Sequence, residues 1–271
     1  GGGARLTGEQ RREPVREVVA IEVGDVAVRR QHKSGQRVGR VGGELGGDRV
    51  ERAGGHAGDG IDILMIRELV GGIYFGAKIE GSATGMRYST DECTYTADEI
   101  QRVAEVAFEE AKRRSCPLTN IHKANVLATS RFWKEVVEDI ARSYPDVPYR
   151  SLLVDNAAYQ LVKNPALLNG VMLLENMQGD ILTDQAGGII GSLGLMPSAC
   201  IGPEKSYVEP AHGSAPDIAG KNIANPYSMI GSIALMFDRC LGLTDEADEI
   251  WNALFAVFER GYVTADLAQD V

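Results

Sequence analysis

From Ile61 onward the apolar positions follow two rhythms, and each rhythm marks a kind of element. Residues 61–66 form a short, nearly continuous apolar run, which predicts a strand buried on both faces. Thr96-Ala97-Asp98-Glu99 reads as a capping box. Ile100, Val103, Ala107 and Ala111 then recur at helical spacing and predict a helix to Arg114. Ser130 is expected to cap a second amphipathic helix carrying Trp133, Val136, Val137 and Ile140, closed before Pro145. Residues 152–154 and 171–174 predict strands, and residues 226–270 predict two helices parted near Gly242. Strands alternating with helices make the chain α/β, and no internal repeat is present.

The first sixty residues keep neither rhythm. They contain 15 Gly and 10 Arg but no aromatic, Met or Cys residue, and only residues 18–28 could supply a strand. So few large side chains bury too little apolar surface to offset the entropy of ordering. Residues 1–60 are therefore read in one of two ways. One is a disordered Gly/Arg-rich arm. The other, which is favoured, is sequence foreign to the domain beginning at Ile61, as a GC-rich gene gives when translated out of frame.

Composition narrows the function classes. At 271 residues the chain can hold two modest domains, and 44% hydrophobic with 24% charged residues is ordinary for a globular protein. A net charge of −10 argues against nucleic acid or an anionic membrane as partner. Cys93, Cys116, Cys200 and Cys240 are scattered without a CxxC, which fits reduced thiols in a cytoplasmic protein. No signal peptide opens the chain, and its most apolar stretch, residues 187–202, is broken by five glycines and a proline. No membrane association is expected.

Candidate chemistry lies in five short motifs. In Arg67-Glu68-Leu69-Val70-Gly71-Gly72-Ile73-Tyr74-Phe75-Gly76 a strand runs into a glycine turn, where a guanidinium can grip a carboxylate and a phenol can donate a proton. His122-Lys123-Ala124-Asn125-Val126-Leu127 sets a lysine among apolar residues, where burial can lower its pKa enough to make it a base. Asp155 stands at a strand end as a candidate metal ligand. Asp180 and Asp184 are four apart, so a helix beginning near Asp180 would project both from one face toward Mg²⁺ or Mn²⁺. An N-cap with a first-turn acid explains the same pair without a metal. The fifth motif, residues 209–226, is a Gly/Ala/Pro-rich irregular stretch suited to close approach of a nucleotide. No GxGxxG follows a strand, so a Rossmann site is not indicated.

Taken in order, these motifs make residues 61–271 resemble the β-decarboxylating hydroxyacid dehydrogenases, the isocitrate/isopropylmalate dehydrogenase family. The stretch from His212 to Pro226 nearly completes that family's HGSAPDIAGKxIANP, and the stretch from Gly179 to Asp184 keeps its GDIxxD. The turn Gly71-Gly72-Ile73-Tyr74-Phe75-Gly76 favours the isopropylmalate branch, because the isocitrate, homoisocitrate and tartrate branches carry an acidic residue there. The resemblance implies the family's two-domain α/β fold, not a Rossmann fold, with the first domain incomplete. It implies residues 61–190 as the central metal, substrate and dimerisation domain and residues 191–271 as the remnant of the NAD-binding domain.

The resemblance also implies roles. Arg67 would bind the substrate carboxylate, with Val126 near the isopropyl group. Asp180 and Asp184, with Asp155 from a partner subunit, would bind Mg²⁺ or Mn²⁺. Lys123, also from the partner, would act in proton abstraction, and Tyr74 would reprotonate the enolate left by loss of CO₂. Asn125, His212, Gly213, Ser214, Ala215, Asp217 and Asn225 would serve NAD, with Asp217 favouring NAD over NADP. The implied reaction is NAD-dependent oxidative decarboxylation of 3-isopropylmalate to 4-methyl-2-oxopentanoate, in leucine biosynthesis, by a cytoplasmic homodimer with shared sites. Alternatives are a homoisocitrate, tartrate or isocitrate dehydrogenase, or a non-catalytic dimerising remnant.

The chain departs from the family pattern at both ends. The opening GDGIGPE unit and two further substrate arginines are absent, and Gly58-Asp59-Gly60-Ile61 runs straight into the Arg67 strand instead. Residues 191–271 are accordingly expected to pack loosely, substrate affinity to fall without the two arginines, and the chain as written to be inactive rather than active. Gln178 and Ala211 stand where Phe and Val are usual, with little consequence expected.

Overall fold

The computed structural model describes residues 19–22, 61–83, 85–202 and 205–268. Its elements, in chain order, are β1 (Val19–Glu22), β2 (Ile63–Glu68), β3 (Lys78–Ala83), β4 (Met86–Asp91), α1 (Ala97–Arg113), β5 (Leu118–His122), α2 (Ala128–Ala141) and β6 (Tyr149–Leu153). There follow α3 (Val154–Lys163), β7 (Gly170–Leu174), α4 (Asn176–Ile190), β8 (Pro197–Ile201), β9 (Tyr207–Pro210), α5 (Tyr227–Leu235) and α6 (Thr244–Glu259). Seven strands form one sheet in the order β6-β5-β7-β2-β1-β8-β9. The first four run parallel, whereas β1 is antiparallel to both β2 and β8. The strand expected within residues 18–28 thus lies mid-sheet, with Ile21 in register with Ile66 on one side and Ala199 on the other. The remainder of residues 1–60 lies outside the described residues.

β2 explains how one strand serves two cores. All six of its residues are buried, and side chains alternate between faces with period two. Leu64 and Ile66 pack with Ile100, Val103, Phe108 and Trp133 of α1 and α2. Ile63 and Met65 face the opposite way, toward Leu161 and Leu182 of α3 and α4. That parity sends Arg67 to the α4 face and Glu68 to the α1 face.

The capping box at Thr96 and Glu99 is present, and α1 runs to Arg113 with Arg114 as its C-cap. α2 differs from expectation at its start: Leu127 is its N-cap, and Ser130 is buried inside the helix. A turn, Lys123 to Leu127, leads the backbone into the helix, whose start has no side-chain cap. α4 begins at Asn176 rather than near Asp180, because Glu175 caps it by accepting from the Met177 and Gln178 N–H groups. The helical spacing of Asp180 and Asp184 survives, but the reading of Asp180 as an N-cap does not. The two expected C-terminal helices are α5 and α6, with Gly242 at φ 68° between them.

The expectation of loose packing beyond residue 190 meets a divided outcome. β8 is built into the sheet, and Ala199 and Leu235 join the same core as Leu64. The helices are less covered: Met229, Ile230 and Ile233 of α5 and Val257 of α6 are exposed. The exposed hairpin of β3 and β4 has no counterpart in the predicted elements, since β4 alternates no apolar face. None of the four cysteines is in a disulfide. Among the described residues no helix is long and apolar enough to cross a membrane.

Candidate functional site

The carboxyl ends of β5, β6, β7 and β2 share one edge of the sheet, and the motif residues follow those ends. Crevices at this edge of a parallel sheet are where ligands commonly bind. Two clusters form there.

The first joins β2, the glycine turn and α4. Arg67, 9% exposed, sends Nη1 to Asp180 Oδ1 at 2.8 Å and Nη2 to Asn176 Oδ1 at 2.9 Å. Tyr74 donates its phenol to Asp180 Oδ2 at 2.8 Å. Asn176 completes the frame by donating Nδ2 to the Gly71 carbonyl. α4 crosses Arg67 so closely that a Cβ on Gly179 would stand 2.7 Å from Arg67 Cγ, which accounts for a glycine inside the helix. Lys78 steadies the turn by donating to the Tyr74 carbonyl at 2.8 Å.

Behind this cluster lies support that motif reading missed. Glu68 accepts from the Val70 and Gly71 N–H groups at 2.8 and 2.9 Å and so fixes the glycine turn. Burial pushes its carboxyl above the ordinary value, against the pull of those two N–H groups. Tyr95 donates to Glu175 Oε2 at 2.8 Å and accepts from the Asn176 N–H at 3.0 Å, so it holds the start of α4. Its phenol is pushed up, first by burial and then by the charge of Glu175. Glu175 and Asn176 were legible as neighbours of Asp180, whereas nothing in the sequence around Tyr95 signals its part.

Asp180 makes the Tyr74 proton harder to lose. The hydrogen bond to its carboxylate is the main reason the Tyr74 phenol is raised above its ordinary value. Asp184 lies one turn further along α4 and is exposed.

The second cluster joins β5 and the start of α3. Lys123 Nζ meets Asp155 Oδ1 at 2.5 Å. Asn125 and Val126 follow in the exposed turn before α2. Asp155 is held below its ordinary value of 3.8, chiefly by the Lys123 hydrogen bond. A carboxyl depressed by folding contributes stability above its unfolded value and loses it as pH falls through the folded value. The Lys123–Asp155 tie is therefore complete at neutral pH and is lost only in acid, below 3.8. In Lys123→Met the NMR titration of Asp155 is expected to move up toward the ordinary value, the backbone hydrogen bond at Asp155 keeping part of the depression. An unchanged midpoint would show that the contact is not populated in solution.

Within one chain Asp155 does not join Asp180 and Asp184: among the described residues no three His, Cys, Asp or Glu side chains gather as a metal site. The carboxylates instead pair with cations, Asp180 with Arg67 and Asp155 with Lys123.

The remaining candidates occupy the irregular stretch between β9 and α5. Residues 213–217 and 219–224 are exposed, and His212 and Asn225 are half-buried. His212 Nδ1 lies 2.9 Å from the Gly213 carbonyl. Ala215, at φ 42°, opens a short turn that ends in Gly220 at φ 75°. Positive φ at a non-glycine residue is strained and is often found where a ligand is gripped.

Comparison with known proteins places the chain among relatives. Residues 51–271 match the family described as isocitrate/isopropylmalate dehydrogenase. A 3-isopropylmalate dehydrogenase of Desulfitobacterium hafniense is 49% identical over 211 residues, covering 78% of this chain and 59% of that protein. One from Yersinia pestis is 48% identical over 216 residues, covering 79% and 59%. Among solved structures, an isocitrate dehydrogenase from Methylococcus capsulatus superposes with a TM-score of 0.73 at 37% identity, covering 78% of this chain and 62% of that one. A β-decarboxylating dehydrogenase from Thermococcus kodakarensis gives 0.67 at 38% identity, covering 79% and 61%. The chain thus spans about three-fifths of the length of the relatives it matches.

Proposed function

Because the chain belongs to the isocitrate/isopropylmalate dehydrogenase family, we propose that its site serves the NAD- and divalent-cation-dependent oxidative decarboxylation of 3-isopropylmalate to 4-methyl-2-oxopentanoate. The observation that carries this reading is the convergence of Arg67 and Tyr74, from the motif after β2, on Asp180 of the α4 motif at 2.8 Å contacts. On this reading residues 61–190 hold metal and substrate, and residues 191–271 hold NAD through His212, Gly213, Ser214, Ala215, Asp217 and Asn225, with Asn125 contributing. Cytoplasmic leucine biosynthesis is the corresponding role.

The donor set suits a hard cation. Asp180 and Asp184 offer carboxylate oxygens one helical turn apart, both reachable from solvent, and Asp155 would come from a second subunit. When bound, Mg²⁺ or Mn²⁺ neutralises charge on the substrate oxygens and NAD accepts a hydride. Arg67 would exchange Asp180 for the substrate carboxylate, a bidentate match that leaves Asp180 able to ligate. Lys123 of the partner would take the hydroxyl proton as a free amine, once Asp155 has exchanged it for the cation and its ammonium has lost a proton to water. Tyr74, oriented by its hydrogen bond to Asp180, would deliver a proton from its phenol oxygen after CO₂ departs. Val126 would lie against the isopropyl group.

A second reading, a non-catalytic self-associating module, is favoured by the exposed Tyr159 and Val162 on α3 and Ile181 on α4. The test is NADH absorbance with the purified chain, 3-isopropylmalate, NAD⁺ and Mg²⁺, alongside sedimentation. NADH formation supports the dehydrogenase. A folded dimer that forms no NADH and is not stabilised by Mn²⁺ overturns it in favour of the module.

A further inference from the structure

One carboxylate ties the end of the exposed 211–226 stretch to two distant segments. Asp266 Oδ2 accepts from Ser192 Oγ at 2.5 Å and from Asn225 Nδ2 at 3.2 Å. Ser192 Oγ in turn accepts from the Gly194 N–H at 3.0 Å, in the short turn after α4. Asn225 Oδ1 accepts from the Tyr227 N–H at 3.0 Å, where α5 begins. The three segments meet without slack: a Cβ on Gly194 would stand 2.8 Å from Asn225 Cβ and 3.3 Å from Asp266 Oδ2. Leu267, next to Asp266, packs against the cluster of Leu195, Tyr227 and Leu254, so apolar contact seats the turn that carries the carboxylate.

The other end of the stretch is fixed where Ala211 N–H meets the Met196 carbonyl at 3.0 Å. Asn225 is the second anchor. With one oxygen lone pair engaged by the Tyr227 N–H and one amide hydrogen by Asp266, its side chain fixes the point where the stretch enters α5.

We propose that Asp266 and Ser192 are positioning residues for NAD: they clamp Asn225 and hold the exposed residues 212–224 in the geometry that receives the nucleotide. This rests on the cofactor reading above and adds to it two residues that touch no part of the motif's exposed surface. Charge matters here, since a carboxylate accepting from both donors makes stronger bonds than a neutral acceptor.

The test pairs NADH binding with amide hydrogen exchange on the full chain, for wild type, Asp266→Ala and Asp266→Asn. Asp266→Ala is expected to speed exchange across residues 212–225 while β5 and β7 keep their protection. Its NADH dissociation constant is expected to rise about tenfold or more. Asp266→Asn, which keeps an acceptor oxygen, is expected to fall between the two. Unchanged exchange in Asp266→Ala overturns the clamp. Faster exchange with unaltered NADH affinity overturns its role in cofactor binding. No NADH binding by wild type would instead overturn the cofactor reading, while the exchange data still decide the clamp.

Discussion

Asp180→Ala is expected, on the proposed function, to lower 3-isopropylmalate turnover at least about 10³-fold and to abolish stabilisation by Mn²⁺. Two losses combine. The α4 carboxylate pair is halved, and Tyr74 loses the acceptor that fixes the direction of its phenol. Stability itself changes little, because the Asp180 side chain is 49% exposed and Arg67 keeps its bonds to Asn176. Asp180→Asn separates the parts: it retains an oxygen for Arg67 or Tyr74 but not the charge a cation needs. Turnover within tenfold of wild type in either variant, measured by NADH absorbance, would remove Asp180 from the metal site.

Trp133→Ala is expected to destabilise the fold by about 3–5 kcal/mol and to disturb the site from below. Trp133 is 1% exposed, and its Nε1 donates to Asn120 Oδ1 at 2.9 Å. Its ring meets Tyr95 edge-on, with centroids 5.3 Å apart. Tyr95 in turn holds Glu175 and Asn176, and Asn176 holds Arg67. Removing the indole therefore leaves a cavity, orphans Asn120 Oδ1 and frees Tyr95 to shift under α4. Trp133→Phe fills most of the volume and is expected to lose only about 1 kcal/mol, for the hydrogen bond. Urea denaturation reads both, and a Trp133→Ala midpoint equal to that of Trp133→Phe would contradict the account.

The two substitutions mark how far the sequence could be read. The capping box at Thr96, the buried run in β2 and the strand over residues 171–174 all followed from local pattern, because capping and periodic burial act over a few residues. Starts of helices were less legible. Ser130 has the residue type of a cap and is a core residue of α2, while Glu175 caps α4 from a position that no standard Ser/Thr/Asp/Asn signal marks. The β3 and β4 hairpin leaves no periodic signal because it buries no alternating face against the core.

The site divides in the same way. Order and spacing of motifs along the chain determined the family and named Arg67, Tyr74, Lys123, Asp155, Asp180 and Asp184 as candidates. Spacing could place Asp180 and Asp184 on one helix face, since that is a local property of the helix. Only the tertiary structure decided that Arg67 reaches Asp180 and not Asp155, that Tyr95 underpins α4, and that Asp266 clamps Asn225. Those contacts join residues 41 to 113 positions apart. Their partners are set by strand order, by the parity that turns Arg67 toward α4, and by the close crossing at Gly179, all of which exist only once the sheet has formed.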